Sequence, residues 1–402
     1  MTGTPSHRRE TRTRLPAGQR RAQIVDAAAH LFRQRGYNSV GIDDIGAAVG
    51  ISGPAVYRHI ASKEALVAEI GTGLLDDMVA ATHAVLAQAR AEGWESRPTL
   101  DHLMSRSVAV GLEHTAALTV SVRHLWGLDA GLAAPLSQRW AELQAMWGPV
   151  VGAVHPHLRV EDAGLTIRAS AGMLIGGERA LTDLPHDRAN ALLSDAMARL
   201  LSVRLPPPSR PNPQPTGIWT RSSRRERLLE TSIALFRERG YGGVSLADIA
   251  EAVGVTASAS YRHFDNKEEL LTTAIDRAGD RVVAGVSEAL RHAVSAEDAL
   301  DRLLRSYAQI CVDNSDLVAV AVTERYHLTD DAKARRRMRA RLVVEEWAHC
   351  LAVTRPDLTS SQASALAVAV QGMVIECVRS SALSRRPDLA DELYRLARSI
   401  LS

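Results

Sequence analysis

Two short runs of the chain carry side chains that could do chemistry. Tyr57-Arg58-His59 is followed by Lys63-Glu64, and Tyr261-Arg262-His263 by Lys267-Glu268, 204 residues further on. A phenol, a guanidinium, an imidazole and an ammonium gathered this closely suit a polyanion that also offers flat apolar surface. A tyrosine hydroxyl can donate to phosphate while its ring packs on a thymine methyl, and the cations neutralise the phosphate chain. Small or polar residues stand just before each run: Ser52, Gly53, Pro54 and Ala55 in one, Thr256, Ala257, Ser258 and Ser260 in the other. They fall where the N-terminal end of a helix would meet base edges. Lys63 and Lys267 are expected at the start of the following helix, where a cation and the positive helix end together make a phosphate site. A core role for the Tyr and His residues is the competing reading, and it stays open for His59 and His263.

These runs belong to a longer duplication. Residues 21–66 and 225–270 align without a gap, and 20 of the 46 positions are identical. An offset near half the chain length means two whole domains in tandem rather than a solenoid repeat. Each copy is preceded by a basic stretch. Residues 1–21 hold six arginines against Glu10 alone, and residues 204–225 hold five arginines and no acid, although the net charge of the chain is only +2. A solvated tail is one reading of such a stretch, and recurrence at the same place in both copies supports phosphate contact as the other.

Other chemistries find little purchase. There is no phosphate loop, Gly-x-Ser-x-Gly elbow, metal-ligand cluster or close acid pair, and His155-Pro156-His157 lacks a third ligand, so neither an enzyme nor a cofactor is expected. Cys311, Cys350 and Cys377 are sparse and odd in number, which points to a reducing cytoplasm and thiols used as core residues, with a reactive-thiol sensor as the alternative. The first 14 residues are basic and polar, unlike a secretory signal. Apolar stretches are broken before 18 residues, so no membrane span is expected.

The elements that must position the two runs read as helices. Ala, Leu, Arg and Glu dominate at three- to four-residue spacing, and alternating β-branched patterns are missing. In the first copy Ile24, Ala27, Ala28, Leu31 and Phe32 make one apolar face that ends at Gly36. Ile42, Ile45, Ala48 and Val49 make a short second helix stopped by Gly50, and Ser52 is expected to cap a third. Two short helices joined by a tight turn and braced by a longer one form a helix-turn-helix. About 130 residues of amphipathic helix follow each copy, with breaks expected at 93–98, 131–135, 148–156 and 184–185, and at 293–296, 314–316, 328–331 and 355–356. The proline-rich stretch 205–219 separates the halves. The last two helices of each half are rich in small residues (Ala169, Ala171, Gly172, Gly176 and Gly177; Ala363, Ala365, Ala367, Ala369 and Gly372), marking candidate pairing surfaces, with ordinary packing inside each domain as the alternative.

The run Leu-Phe-x-x-Arg-Gly-Tyr, the pairs Asp44-Ile45 and Asp248-Ile249, the Ala-Val-Gly turn and Tyr-Arg-His-x-x-x-Lys-Glu resemble the N-terminal signature of TetR-type transcriptional regulators, over about 46 residues of each half. The resemblance implies an all-α chain of two tandem units, each a three-helix helix-turn-helix head with a six-helix ligand and dimerisation domain. The expected divisions are a basic arm 1–19, head 20–66, ligand domain 67–204, linker 205–219, head 220–270 and ligand domain 271–402. Carried onto this sequence, DNA contacts fall on Ser52, Gly53, Pro54, Ala55, Tyr57, Arg58, His59 and Lys63, and on Ser245, Thr256, Ala257, Ser258, Ser260, Tyr261, Arg262, His263 and Lys267. Departures are informative: the family's Ser or Thr cap is Ser245 in copy two but Gly41 in copy one, and its basic residue two positions on is Asp43 or Ala247. Gly53/Ala257, Pro54/Ser258 and Val56/Ser260 differ between copies, so the heads are expected to prefer unlike half-sites.

Glu324-Arg325-Tyr326, the run Arg335 to Arg341, Trp347 and Arg355-Pro356-Asp357-Leu358 further resemble an actinobacterial branch concerned with lipids and acyl-CoA. For Arg335 to Arg341 a solvated face is the preferred alternative to an acyl-CoA phosphate contact. Trp126, Trp147, Tyr307, Tyr326 and Trp347 are candidate pocket residues, with core packing as the alternative. The expectation is a cytoplasmic, nucleoid-associated regulator, read as a repressor. It would bind a double-stranded operator as an intrachain pseudo-dimer, or as a homodimer of such chains, and be released by a hydrophobic small molecule. Alternatives are a regulator with one head silent and a constitutive DNA binder without effector. The heads would need to sit about 34–36 Å apart to reach successive major grooves.

Overall fold

The computed structural model describes residues 17–37, 39–124, 128, 130–181, 184–207, 209, 223–380 and 382–402, without the side chains at 17, 121–124, 130, 160, 161 and 177–181. Most of the basic arm, most of the proline-rich stretch and Trp126 lie outside the described residues.

Within the described residues the chain is all helix. The first half contains α1 (Ala17–Arg35), α2 (Ile42–Ala48), α3 (Gly53–Val56), α4 (Lys63–Glu92), α5 (Ser96–Glu113), α6 (Thr115–His124), α7 (Ala130–Val154), α8 (Val160–Leu181) and α9 (His186–Ser202). The second repeats the order with α10 (Arg224–Arg239), α11 (Leu246–Val253), α12 (Ala257–Ser260), α13 (Lys267–Arg291), α14 (Ala296–Asp313), α15 (Ser315–Thr323), a 3₁₀ turn at Arg325–His327, α16 (Asp330–Thr354), α17 (Ser360–Val378) and α18 (Leu389–Leu401). Nine α-helices therefore recur in each half among the described residues, the second and third of them only four to eight residues long. The break expected at 131–135 falls inside α7, which runs on through Pro135 and through Gly148-Pro149, while the break expected at 148–156 is met only at its end, where α7 stops at Val154 and His155-Pro156 begin the connection to α8. The break at His114, between α5 and α6, carries neither Gly nor Pro and is not marked in the sequence.

Two compact units emerge, Met1–Asp76 with Ala116–Arg139, and Asp77–Thr115 with Trp140–Ser402. In the first, Ile24, Ala28 and Phe32 of α1 close over Ile45, Val56 and Ile60, and α4 adds Leu66 and Ile70. In the second, Leu228, Leu229 and Phe236 do the same over Ile249, Val253 and Phe264, with Leu270 and Ile275 from α13 and Leu317 and Val320 from α15. Each Val, Ile, Leu or Phe among them contributes roughly 1.5–3 kcal/mol on burial, which is what holds helices of four to eight residues in place. Gly50 and Gly254 make the turn into the third helix at φ +70° and +74°, a left-handed conformation that favours glycine.

The second unit also contains the packing of α8 on α17 and of α9 on α18. Gly172, Gly176 and Gly372 meet there backbone to backbone: a Cβ on Gly172 would stand 2.8 Å from the Gly372 carbonyl oxygen, and one on Gly176 would stand 2.7 Å from the Gly372 Cα. α17 is long and apolar enough by length and composition to cross a membrane, which the sequence reading did not anticipate, and 67% of that stretch is buried inside the fold. Here it is a core helix.

Candidate nucleic-acid interface

Each head ends in a four-residue helix whose outer face carries residues the sequence singles out. Ser52 and Thr256 take extended backbone geometry at the N-cap (φ −79°, ψ 154° and φ −72°, ψ 151°). The Ala259 amide donates to Thr256 Oγ1 at 3.3 Å. Ser52, expected as a cap, makes no such side-chain bond, since Pro54 removes one of the amides a cap would satisfy. Tyr57 and Tyr261 stand 58% and 57% exposed, in a chain where most large apolar side chains are inside. Arg58 and Arg262 are exposed beside them, Pro54, Ala257 and Ser258 share the open surface, and Ala55, His59 and His263 are half-buried.

Two of the expected contact residues, Ser260 and Gly53, point elsewhere, as does Val56, the counterpart of Ser260 in the first head. Val56 and Ser260 have no exposed surface, and Ser260 Oγ donates to the Ala257 carbonyl at 2.7 Å. Both immediately precede the outward tyrosine, and about 100° per residue turns them into the core. Gly53 is also buried, beneath Asp43. A Cβ on Gly53 would overlap an Asp43 carboxylate oxygen and stand 2.9 Å from Cγ. The aligned residues in the second head are Ala247 and Ala257, both exposed. The two differences are therefore coupled: with the carboxylate laid against the start of α3 no Cβ fits at Gly53, so an alanine there would have to turn the Asp43 side chain away, and where Ala247 replaces the aspartate alanine fits. Head one presents a negative charge at the start of its recognition helix and head two presents methyl groups.

The lysines differ from expectation in the same sense. Lys267 Nζ donates to the carbonyls of Tyr241 and Val244, both at 2.7 Å, and lies 4.0 Å from the Tyr241 ring centroid. Two of its three N–H groups thus hold the α10–α11 loop. Lys63 sits 4.1 Å from the Tyr37 centroid. Burial lowers the pKa of both ammonium groups. Tyr37 donates to Glu64 at 3.0 Å, and burial reinforced by that bond raises its phenol well above the usual range. Ser245 spends its hydroxyl on a capping box, accepting from the Asp248 amide at 3.1 Å and donating to the Asp248 carboxylate at 2.6 Å. Gly41 keeps only the amide half, donating to Asp44 Oδ2 at 2.7 Å.

The heads are braced alike with charges reversed. Arg21 of α1 forks onto Glu69 of α4 at 2.7 and 2.9 Å, whereas Glu226 of α10 receives Arg277 of α13 at 2.6 and 2.9 Å. The second head is also joined to its own body by a contact the sequence did not reveal. Glu324 is buried, and its carboxyl pKa is raised by that burial. His327 stacks on Tyr241 with centroids 4.5 Å apart and lies 3.7 Å from Glu324.

The candidate pocket residues divide. Trp347 and Tyr307 are buried in the second body and meet edge to face at 5.3 Å. The Trp347 Nε1 is buried with no hydrogen-bond acceptor. Trp147 Nε1 donates to Thr82 Oγ1 at 3.2 Å, and Tyr326 takes a 2.7 Å bond from Arg325. An open depression of about 730 Å³ lies between α5 and α9, bordered by Ser105, Glu113, His186 and Asn190 rather than by these aromatics. Arg335 and Arg339 pair with Asp276 at 3.2 and 2.6 Å, so part of that basic run ties α16 to α13. The three cysteines are buried, and burial pushes the Cys311 thiol up to about 12, far from a reactive thiolate. Among the described residues no three His, Cys, Asp or Glu side chains are grouped to hold a metal.

Against known proteins, a family model described as "Bacterial regulatory proteins, tetR family" matches residues 24–70 and 228–274. The HTH-type transcriptional repressor KstR2 of Rhodococcus jostii is 37% identical over 109 residues, 26% of this chain and 52% of that protein. The HTH-type transcriptional activator FasR of Mycolicibacterium smegmatis is 36% identical over 73 residues, 18% of this chain and 33% of that protein. The chain thus spans about half the length, or less, of these relatives. A solved tetR-family regulatory protein from Rhodococcus RHA1 superimposes with a TM-score of 0.40 at 23% identity, over 45% of this chain and 98% of that one.

Proposed function

Because the chain belongs to the TetR family of bacterial regulatory proteins, with the family's DNA-binding segment once in each half, we propose that it is a transcriptional repressor that binds one asymmetric operator with both of its own heads. The observation that carries this reading is the pair of outward Tyr-Arg faces on heads whose bodies pack as α8 on α17 within one chain. A homodimer must read two like half-sites, whereas here Asp43 over Gly53 stands against Ala247 and Ala257, so the half-sites differ. A carboxylate on the base-reading side accepts from cytosine N4 and repels phosphate. In this reading the protein works in the cytoplasm, at the nucleoid.

Selection of bound sequences from random duplex DNA by the full chain tests the proposal. The expected product is a composite site with two unlike halves about one helical turn apart. A perfect palindrome would overturn it. Asp43 favours one second reading, in which head one contributes no base contacts, and enrichment of a single half-site would be its signature. Release is assigned to a hydrophobic acyl ligand entering the second body, where the buried Trp347 indole N–H has no acceptor and an acyl carbonyl would supply one. Gel shifts with and without added acyl-CoA check that assignment, and unchanged binding across chain lengths would instead favour the constitutive binder.

A further inference from the structure

The helices that join the two halves are related by a constant offset of 200. Gly172-Met173-Leu174-Ile175 of α8 aligns with Gly372-Met373-Val374-Ile375 of α17. The buried Leu193, Ala196, Met197, Leu200 and Leu201 of α9 align with the buried Leu393, Leu396, Ala397, Ile400 and Leu401 of α18. The apolar interface is therefore nearly two-fold symmetric. Its polar and steric residues are not. Gly176 is matched by Glu376, Arg168 by Val368, Asp162 by Gln362, His186 by Arg386 and Leu192 by Glu392.

Most of these differences are complementary across the interface, and Glu392 braces Arg386 from within its own half. Gly176 has no room for a side chain: a Cβ there would stand 2.6 Å from the Val368 carbonyl oxygen and 2.7 Å from the Gly372 Cα. Glu376 stands on the other side, its carboxylate buried, bonded to Arg379 at 2.6 Å and attracted by Arg168. Asp162, 3% exposed at its side chain, takes Arg386 at 2.8 Å, and Arg386 also holds Glu392 at 2.7 Å from its Nε. Half one thus supplies glycine, a cation and an acceptor where half two supplies carboxylates, a small aliphatic and a cation.

We propose that this surface selects its partner: half one pairs with half two and neither pairs with its own kind. Two copies of half two would set Glu376 against the Gly372 backbone of the other copy, where no Cβ fits, and would bury carboxylates beside Val368 instead of Arg168. Two copies of half one would fit sterically but set Arg168 against Gly176 and Asp162 against His186, removing Glu376 as the partner of Arg168 and leaving the buried Asp162 with Arg159 of its own half, at 2.7 Å, in place of two cations. A buried charge deprived of its partner is strongly destabilising. The partner class is the other half of this chain, first within one polypeptide and otherwise by reciprocal exchange between two. The inference rests on the intrachain packing and on no property of DNA binding.

Reciprocal exchange in the full chain tests it, read without DNA by thermal unfolding and sedimentation velocity. R168V/G176E makes both faces like half two and should lower the Tm by at least about 5 °C, the shift a few kcal/mol produces in domains of this size. Adding V368R/E376G moves the complementary set to the opposite sides and should recover more than half of that loss, with the chain still monomeric. A half-exchanged chain as stable as the parent, or a full exchange no better than the half, would overturn the inference. So would homotypic association of the parent chain, seen as dimers in which a cross-link joins α8 to α8.

Discussion

Adding one methyl group at two places on α8 should move stability in opposite directions. At Gly164 a Cβ would meet nothing within 4 Å, so Gly164→Ala removes glycine's excess backbone freedom and should stabilise by about 0.5–1 kcal/mol. At Gly176 the same methyl would stand 2.6 Å from the Val368 carbonyl oxygen, 2.7 Å from the Gly372 Cα and 3.0 Å from the Gly372 amide. Those are backbone atoms of α17 and cannot rotate aside. Ordinary carbon contacts begin near ~3.5 Å, so the helices must part locally by about 1 Å. A gap of that size forfeits a quarter to a half of each contact of roughly 0.1–0.2 kcal/mol, or about 1–2 kcal/mol over some tens of atom pairs. Overpacking strain adds about 1–3 kcal/mol, and the helix gain from alanine returns about 1 kcal/mol. The net expectation is a loss of about 1–4 kcal/mol, which at its middle lowers the Tm by roughly 5–10 °C. Far-UV circular dichroism of the two variants, heated side by side, is the assay. Equal and stabilising effects at both positions would refute the close approach of α8 and α17.

Three further outcomes follow from the heads. Lys267→Met should destabilise the second head by about 1–3 kcal/mol, because two half-buried carbonyls lose their donor; the salt dependence of DNA binding should keep its slope, which a lost phosphate contact would reduce by about one unit. Glu324 binds its proton more tightly folded than unfolded, so its stabilising share is present at acid pH and is lost as pH rises from the ordinary carboxylate range through its raised folded value. Urea titrations across that window should show Glu324→Gln declining less steeply than the parent, and a parallel decline would refute the burial argument. Gly53→Ala alone should destabilise the first head, while Asp43→Ala with Gly53→Ala should restore it and shift the half-site it selects towards that of head two. An unchanged selected site would show that Asp43 reads nothing.

The helical order of both halves is written in the sequence because amphipathic spacing and glycine stops are local signals. The pairing helices were legible for the same reason: small residues on one face of α8 and α17 announce close approach. What spacing could not give is which way a residue turns inside a four-residue helix. Val56 and Ser260 sit one position from the outward tyrosines and face the core. Nor could it supply partners distant in sequence. Lys267 reads as a phosphate contact until the Tyr241 and Val244 carbonyls close around it, and the run from Arg335 reads as solvated until Asp276, 59 residues earlier, comes alongside. The Asp43–Gly53 exchange was visible as two separate departures, and only the fold makes them one.

On the proposed reading one polypeptide supplies both heads to one operator. The mass of the complex measures it directly, with the selected duplex mixed with protein near its dissociation constant and weighed by native mass spectrometry or sedimentation equilibrium. The expected mass is that of one 43.5 kDa chain per duplex. Two chains on a duplex that holds a single composite site would contradict it.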